Sequence, residues 1–290
     1  NVVVLTADLS ESTRTEAFAK KFPDRFFEVG VAEQNMAAIA AGLAVSGKIP
    51  FISSYATFSP GKNWETIRTT IIYNNVPVKI AGHHSGIATG PDGATHQATE
   101  DIAIVRSWPG IQILVPCDSI EARKATVQCV EHKGPSYLRF TRDKTPVMTT
   151  EKTPFKPVQT FWTSENPKCV IFATGYMLYH ALLAAKELEK EKINVLVANV
   201  AQIKPLDKKT IIELVKKAGK VVTVEDHQVM GGLGGAISEL LARELPTPME
   251  FVGLQDTFAE SGSPAELIKK YKMDSRSITS AVKKVIKRKS

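Results

Sequence analysis

The alternation of short apolar runs with helical stretches constrains the fold of this 290-residue chain more than any other feature. In the first half, the β-rich runs VVVLTA, PFISS and VPVKIAG alternate with helical patterns over residues 33–46 and 64–73. The alternation resumes later with CVIFATG, NVLVANV and KVVTVED, separated by helical patterns over residues 177–190 and 208–217. Strands that alternate with helices form parallel sheets with helices on both faces. The sequence therefore predicts an α/β protein.

A break in this pattern predicts two domains. Residues 146–167 are rich in Pro, Thr and Lys and are typical of a linker. We expect one three-layer α/β domain over residues 1–145 and a second over residues 168–290. With 43% hydrophobic residues, the chain has enough apolar side chains to build a core in each domain.

Charge, apolar runs and cysteines exclude several classes of protein. Five of the seven net positive charges lie within the last eight residues, as in a solvated helix end, so we expect no nucleic-acid partner. No apolar run approaches the roughly 20 residues needed to span a bilayer, so we expect no membrane span. Three cysteines without metal-ligand spacing favour reduced thiols in a cytoplasmic protein. Since Asn1 opens directly on a strand pattern, we also expect a leader upstream.

A glutamate follows the second predicted strand. Glu33 lies in the first turn of an Ala-rich helix, at the carboxyl end of the run FFEVG. Open α/β sheets bind their ligands at this edge. A carboxylate in a first helical turn also complements the helix dipole. Position alone therefore leaves a structural role and a ligand-binding role open for Glu33.

Titratable residues cluster in the segment HHSGIATGPDGATHQATED. His83, His84, Asp92 and His96 fall within fourteen positions of a stretch too rich in Gly, Thr and Pro to form a helix. The segment has no H-x-x-x-H pair and no repeated carboxylate at ligand spacing, so we expect no metal in this chain. Further on, Arg142 ends the β-like run YLRFTR, where its fork of donors suits a phosphate, a carboxylate or a surface ion pair.

Taken together, the segments TADLSEST, GVAEQNM, SYATF, DGATHQ and LRFTR resemble the transketolase family. The resemblance covers nearly the whole chain. It implies that residues 1–145 form a pyrimidine-binding domain and that residues 168–290 form a transketolase C-terminal domain. It also implies thiamine diphosphate as the cofactor.

The resemblance assigns roles around the cofactor. The family's cofactor-binding residues match Asp8, Glu33, Phe58, Trp64 and His96. Glu33 would hydrogen-bond the aminopyrimidine ring, in surroundings expected to disfavour the charge of its carboxylate. The aromatic spacing departs from the family pattern by about one residue through SPGKNW, so Tyr55 is an alternative to Trp64 beside that ring.

The resemblance also assigns a sugar-phosphate site. The family's substrate-binding residues match Ser12, His84, Asp92, His96 and Arg142. Ser12 and Arg142 would bind the terminal phosphate. The implied catalytic residues are Glu33, His84 and His96, and the two histidines would exchange protons with substrate hydroxyls.

A missing motif implies a partner. The family holds the cofactor's diphosphate through Mg²⁺ (or Ca²⁺) on a Gly-Asp-Gly motif, and this chain has no Gly-Asp dipeptide. The resemblance therefore implies a split transketolase, in which an N-terminal transketolase subunit carries that site and two copies of each chain form an α2β2 heterotetramer. The implied reaction transfers a two-carbon ketol unit from a ketose phosphate to an aldose phosphate in the pentose phosphate pathway.

Three other functional hypotheses compete with a split transketolase. The beta subunit of a 2-oxoacid dehydrogenase first component also lacks the diphosphate domain, but its lipoyl acceptor needs neither DGATHQ nor Ser12 and Arg142. A deoxyxylulose phosphate synthase shares the DG-x-THQ pattern, but usually has Asp where His84 stands and is normally one chain. A non-catalytic binding subunit would have little reason to retain Glu33, His84, Asp92 and His96 together.

Overall fold

The computed structural model describes residues 1–289, which form two β-sheets flanked by helices. The first sheet has seven strands: β1 (Val2–Thr6), β2 (Phe26–Glu28), β3 (Ile49–Tyr55), β4 (Lys79–His83), β5 (Gln112–Leu114), β6 (Ser136–Arg139) and β10 (Gln202–Lys204). Their order is β10-β5-β6-β4-β3-β1-β2, and all pairs are parallel except β10 with β5. The helices around this sheet are α1 (Glu16–Lys21), α2 (Glu33–Val45), α3 (Trp64–Thr66), α4 (Asp101–Arg106) and α5 (Ser119–Glu131).

The second sheet has five strands: β7 (Val158–Trp162), β8 (Cys169–Ala173), β9 (Val195–Val200), β11 (Val221–Gln228) and β12 (Met249–Leu254). Their order is β12-β11-β8-β9-β7, and only β7 runs antiparallel to its neighbour. Its helices are α6 (Met177–Lys190), α7 (Lys208–Ala218), α8 (Leu233–Glu244), α9 (Pro264–Lys270) and α10 (Ser275–Ile286).

Each sheet is covered on both faces, because its strands are apolar on both. In the first sheet, Ile52 packs in one cluster with Met36 of α2, whereas Leu138 packs in a separate cluster with Ala125 of α5. In the second sheet, neighbouring residues of β8 point into different clusters, one shared with α7 and the other with α6 and α10. These layers confirm the α/β fold class and the two sheets with helices.

The predicted linker, residues 146–167, contains a strand. β7 pairs with β9 at the edge of the second sheet, and Val158 at its start is 4% exposed. The run VQTFW is too short, and lies too close to Pro157 and to the polar stretch after it, for its alternation to stand out from the surrounding sequence. The segment therefore contributes to the second domain instead of only joining the two.

β10 crosses between the two halves of the chain. It follows β9 directly, yet it pairs with β5 in the first sheet, and the side chains of Gln112 and Gln202 hydrogen-bond at 3.1 Å. The larger of the hydrophobic clusters contains residues of both sheets. The two halves are therefore joined by a shared sheet and a shared core.

Three irregular segments connect β3, β4 and α4. Residues Thr57–Lys62 and Ile67–Ile72 form π-helical turns on either side of α3. Residues 84–99, here called the histidine loop, leave β4 and reach α4 through the 3-10 turn Ile87–Asp92. Across residues 1–289, no helix is both long enough and apolar enough to cross a membrane.

Candidate active site

The predicted site residues converge at one edge of the first sheet, where its parallel strands end. Asp8 follows β1, Glu33 opens the helix after β2, and Tyr55 ends β3. His84 follows β4, and Arg142 lies three residues after β6. These five strands are neighbours in the order β6-β4-β3-β1-β2. Their carboxyl ends therefore bring together residues that are far apart in sequence.

Glu28, which no sequence motif singles out, forms hydrogen bonds with the turns that follow β1 and β2. Its Oε1 accepts hydrogen bonds from the backbone N–H of Asp8 at 2.7 Å and of Gly30 at 3.0 Å. Both residues have positive φ, 59° for Asp8 and 71° for Gly30, and the carboxylate fixes these turns at the ends of β1 and β2. Its position as the last residue of a strand at the ligand-binding edge was the available signal.

Glu33 is buried, with 2% of its surface exposed, and it opens α2 as predicted. The Lys62 ammonium lies 2.7 Å from Glu33 Oε2, and Asn63 Nδ2 donates to the backbone carbonyl of Glu33 at 3.0 Å. The family resemblance predicts surroundings that disfavour the charge of this carboxylate. The structure instead places a cation against it, because the π-helical turn carries Lys62 towards the start of α2.

The rings of Tyr55, Phe58, His84 and His96 form a cluster. Tyr55 stacks on His84 with ring centroids 4.0 Å apart and on Phe58 with centroids 5.8 Å apart. His96 stands edge-on to both Tyr55 and Phe58, at 5.9 and 5.5 Å. The histidine loop thus returns to the end of β3, so that both predicted catalytic histidines contact the ring of Tyr55.

Trp64 is not part of this cluster. Its ring packs against Trp108 at a centroid distance of 5.9 Å, and the residue is 38% exposed. The preceding turn is π-helical, with bonds from Gly61 N to Ala56 O and from Asn63 N to Phe58 O. A π-helical turn accommodates an extra residue, which matches the departure of about one residue in SPGKNW. The structure therefore brings Tyr55, the alternative to Trp64, to Phe58.

His84 is held as a neutral imidazole with a free ring nitrogen. Burial, followed by the nearby Arg142 guanidinium, lowers the pKa of His84 to about 4. Its Nδ1 is buried and has no hydrogen-bond partner within residues 1–289. Its neighbour His83 also stays neutral, since burial lowers its pKa to about 3, and its Nε2 lies 3.0 Å from Ser53 Oγ. An unpaired buried nitrogen of this kind is available for a ligand.

A polar cavity of about 440 Å³ opens next to His84. It is lined by Glu11, Ser12, Arg14, Tyr55, His83, His84, Thr141 and Arg142. Arg142 Nη1 donates to Thr89 O at 2.7 Å and lies 3.5 Å from Asp92 Oδ1, so Asp92 reaches the cavity through Arg142. Glu11 and Arg14 are additions to the predicted set, and their closeness to Ser12 in sequence was the signal for them, whereas His83 comes from the predicted cluster of titratable residues.

The residues present fit the aminopyrimidine part of thiamine diphosphate. Stacked Tyr55 and Phe58, the buried carboxylate of Glu33 and the unpaired Nδ1 of His84 suit a planar, hydrogen-bonding heterocycle. Within the part of the chain that the structure describes, no three His, Cys, Asp or Glu side chains are grouped to hold a metal ion.

Comparison with known protein families gives the class of protein. The family described as "Transketolase, pyrimidine binding domain" matches residues 1–148, and "Transketolase, C-terminal domain" matches residues 162–278. The chain belongs to the transketolase family. The order of the two domains agrees with the fold, in which the pyrimidine-binding half carries the predicted site residues.

Individual relatives narrow this class to split transketolases. The chain is 41% identical to a "Putative transketolase C-terminal section" of Methanocaldococcus jannaschii, over 99% of this chain and 91% of the relative. It is 36% identical to a "6-deoxy-6-sulfo-D-fructose transketolase subunit" of a Clostridium species, over 100% of this chain and 90% of that subunit. A solved "Split gene transketolase, inactive beta4 tetramer" superposes with a TM-score of 0.91 at 42% identity, covering 98% of this chain and 92% of that one.

Proposed function

We propose that this chain is the subunit of a thiamine-diphosphate-dependent transketolase that supplies the glutamate and the sugar-phosphate site. The reaction transfers a two-carbon ketol unit from a ketose phosphate to an aldose phosphate. The observation that carries the proposal is the convergence of Glu33, the Tyr55–Phe58–His84–His96 cluster and the Arg142 cavity at one sheet edge.

Glu33 and the aromatic pair would hold the cofactor's aminopyrimidine. The cofactor supplies a nucleophilic carbon that carries the ketol unit between donor and acceptor. Glu33 serves as the hydrogen-bonding acid at the ring nitrogen, and its burial excludes water from that bond. The Lys62 ammonium pairs with the same carboxylate, and this contact favours the ionised form, so Lys62 must move away from Glu33 for the acid to form.

The histidines and Arg142 would act on the sugar. His84 stays neutral at pH 7, so its imidazole can accept a proton from a substrate hydroxyl or share one with it. His96 reaches the same rings from the far end of the histidine loop. Ser12 and Arg142 lie in the same cavity and would bind the terminal phosphate, with Asp92 beside Arg142 to contact a sugar hydroxyl.

The diphosphate and its Mg²⁺ (or Ca²⁺) would belong to a partner. This chain has no Gly-Asp dipeptide for a Gly-Asp-Gly motif. We infer an N-terminal transketolase subunit with that motif, and an α2β2 heterotetramer in which both subunits complete each site. The three buried free cysteines agree with a cytoplasmic protein.

Reconstitution tests the proposal. The chain alone should be inactive and should bind thiamine diphosphate weakly, and ketol transfer should appear when the purified N-terminal subunit is added. The measurement is product formation from xylulose 5-phosphate and ribose 5-phosphate, with the mass of the complex in solution as control. Full turnover by the isolated chain would contradict it, and decarboxylation of pyruvate without ketol transfer would favour the dehydrogenase reading.

A further inference from the structure

A carboxylate of the second sheet forms hydrogen bonds with the histidine loop. Asp226, on β11, is 1% exposed. Its Oδ1 accepts a hydrogen bond from Ile87 N at 2.9 Å, and its Oδ2 lies 3.4 Å from Ala88 N. Both amides belong to the first turn of the 3-10 segment in the loop. Asp226 thus caps the N-terminus of that turn, although it is more than a hundred residues away in sequence.

The fit between carboxylate and loop is close. Gly86 has φ +78°, and a Cβ at this position would lie 2.0 Å from Asp226 Oδ2. Any side chain here would displace the carboxylate, because a Cβ essentially never approaches another heavy atom below 3.0 Å. The same oxygen, Oδ2, also accepts a hydrogen bond from the Tyr176 hydroxyl at 2.9 Å. The carboxylate is therefore fixed between its own domain and the loop.

The capped turn is the one that connects the substrate-binding side chains. Thr89 Oγ1 donates to the backbone carbonyl of His84 at 2.5 Å, and Thr89 O accepts from Arg142 Nη1 at 2.7 Å. A shift of the turn would therefore move the backbone of His84 and release one bond of the Arg142 guanidinium together. The second sheet is coupled to the cavity through this turn.

The same network contains a compensating cation. Arg139, 6% exposed, pairs with Asp101 at 2.7 Å and donates to the backbone carbonyls of Asp226 at 2.8 Å and Ala98 at 3.2 Å. Arg139 thereby ties β11 to the far end of the histidine loop. Buried carboxylates need such partners, and Arg139 provides one for Asp101.

We propose that Asp226, in the C-terminal half of the chain, is a positioning residue for the sugar-phosphate site, acting through the Ile87–Ala88 amides on His84 and Arg142. The inference rests on the proposed function only for the identity of the substrate. It gives the C-terminal domain a role in catalysis without contact to substrate or cofactor.

Asp226→Asn tests the proposal in the reconstituted complex. The amide keeps the size of the carboxylate, but its NH₂ group cannot accept from a backbone N–H, so at least one cap bond is lost. We expect kcat/KM for xylulose 5-phosphate to fall about tenfold to a hundredfold, with both a higher KM and a lower kcat. The Kd for thiamine diphosphate should change less than kcat/KM does, because Glu33 and Phe58 lie on other elements and only His84 and His96 of the cofactor-facing side chains belong to the loop.

Asp118→Asn is the matched control. Asp118 is also buried, at 4% exposure, and caps the start of α5 by accepting from Glu121 N, with further bonds from Met148 N and Thr149 N. Its substitution should lower the melting temperature to a similar degree and leave KM and kcat unchanged. Equal kinetic effects in the two variants would reduce Asp226 to a purely structural residue and overturn the proposal.

Hydrogen exchange on the isolated chain separates this proposal from the proposed function. The amides of Ile87 and Ala88 should exchange faster in Asp226→Asn, and those of α5 should not. Unchanged exchange overturns the positioning role, whether or not the complex is a transketolase. If Asp226→Asn fails to fold, Gly86→Ala displaces the carboxylate from the loop side and should give the same rise in KM and fall in kcat.

Discussion

The role of Arg142 gives a quantitative prediction. Its Nη1 is bonded to Thr89 O, and within residues 1–289 its other guanidinium nitrogens have no hydrogen-bond partner, so they remain available to a phosphate. A hydrogen bond to a charged group contributes about 1.5–3 kcal/mol. Because the Arg142 side chain is 40% exposed, solvent screening favours the lower value. About 1.5 kcal/mol corresponds to about a tenfold loss in kcat/KM.

Arg142→Ala should therefore raise KM for xylulose 5-phosphate about tenfold while kcat falls much less, since a phosphate contact is similar in the ground and transition states. Hydroxypyruvate, which has no phosphate, should be used almost normally when the acceptor is saturating. The assay is the ratio of kcat/KM for the two donors in wild type and variant. Arg142→Lys keeps the positive charge but loses the forked pair of donors, so its kcat/KM ratio should lie between those of wild type and Arg142→Ala. An unchanged ratio would remove Arg142 from the phosphate site.

Two further predictions concern Glu33 and the buried thiols. Glu33→Gln keeps the size of the side chain and removes the acid, so kcat should fall at least ~10²-fold while the far-UV circular dichroism stays unchanged. Lys62→Met should lower kcat less than about tenfold. Near-native turnover of Glu33→Gln would mean that Glu33 serves only as a charge at the start of the helix. Burial raises the pKa of all three cysteines, that of Cys129 to about 12, so the unfolded chain loses thiol protons above pH 9 that the folded chain keeps. Each thiol should then lower the unfolding free energy by about 1.4 kcal/mol per pH unit, which outweighs the opposite effect of Lys79, whose pKa burial lowers to about 8. Urea titrations from pH 9 to 11 measure the slope. Cys169→Ala should reduce the slope by the contribution of one thiol, and a flat or rising curve over this range would contradict the prediction.

Features that depend on local pattern could be predicted from the sequence. The apolar runs of β1, β3, β4, β8 and β9 and the helix from Glu33 are set by periodicity, and the structure places them as predicted. The position of Glu33 at the ligand-binding edge follows from the strand before it and the Ala-rich helix after it. Convergence of the site segments came from the family resemblance, and the sheet order supplies the physical reason for it.

Features that depend on three-dimensional contacts could not be predicted. The direction of Trp64 depends on hydrogen bonds of the π-helical turn, and a periodicity based on the α-helix does not describe such a turn. The pairing of Lys62 with Glu33 and the cap of Asp226 on the histidine loop join residues 29 and 139 positions apart. Neither Lys62 nor Asp226 carries a local signal, since a lysine in a turn and an aspartate ending an apolar run are both common in α/β proteins.

The pairing of β10 with β5 determines how the chain can be divided. A fragment that ends before residue 201 would leave the N–H and C=O groups of Gln112–Leu114 as an open sheet edge, which invites pairing with other molecules. It would also lose the bond from Val115 N to Ala201 O and the Lys204 ammonium bonded to Arg106 O. The pyrimidine-binding half is therefore not an excisable module. Any chimera that exchanges the C-terminal domain must retain residues 201–204 or supply an equivalent strand.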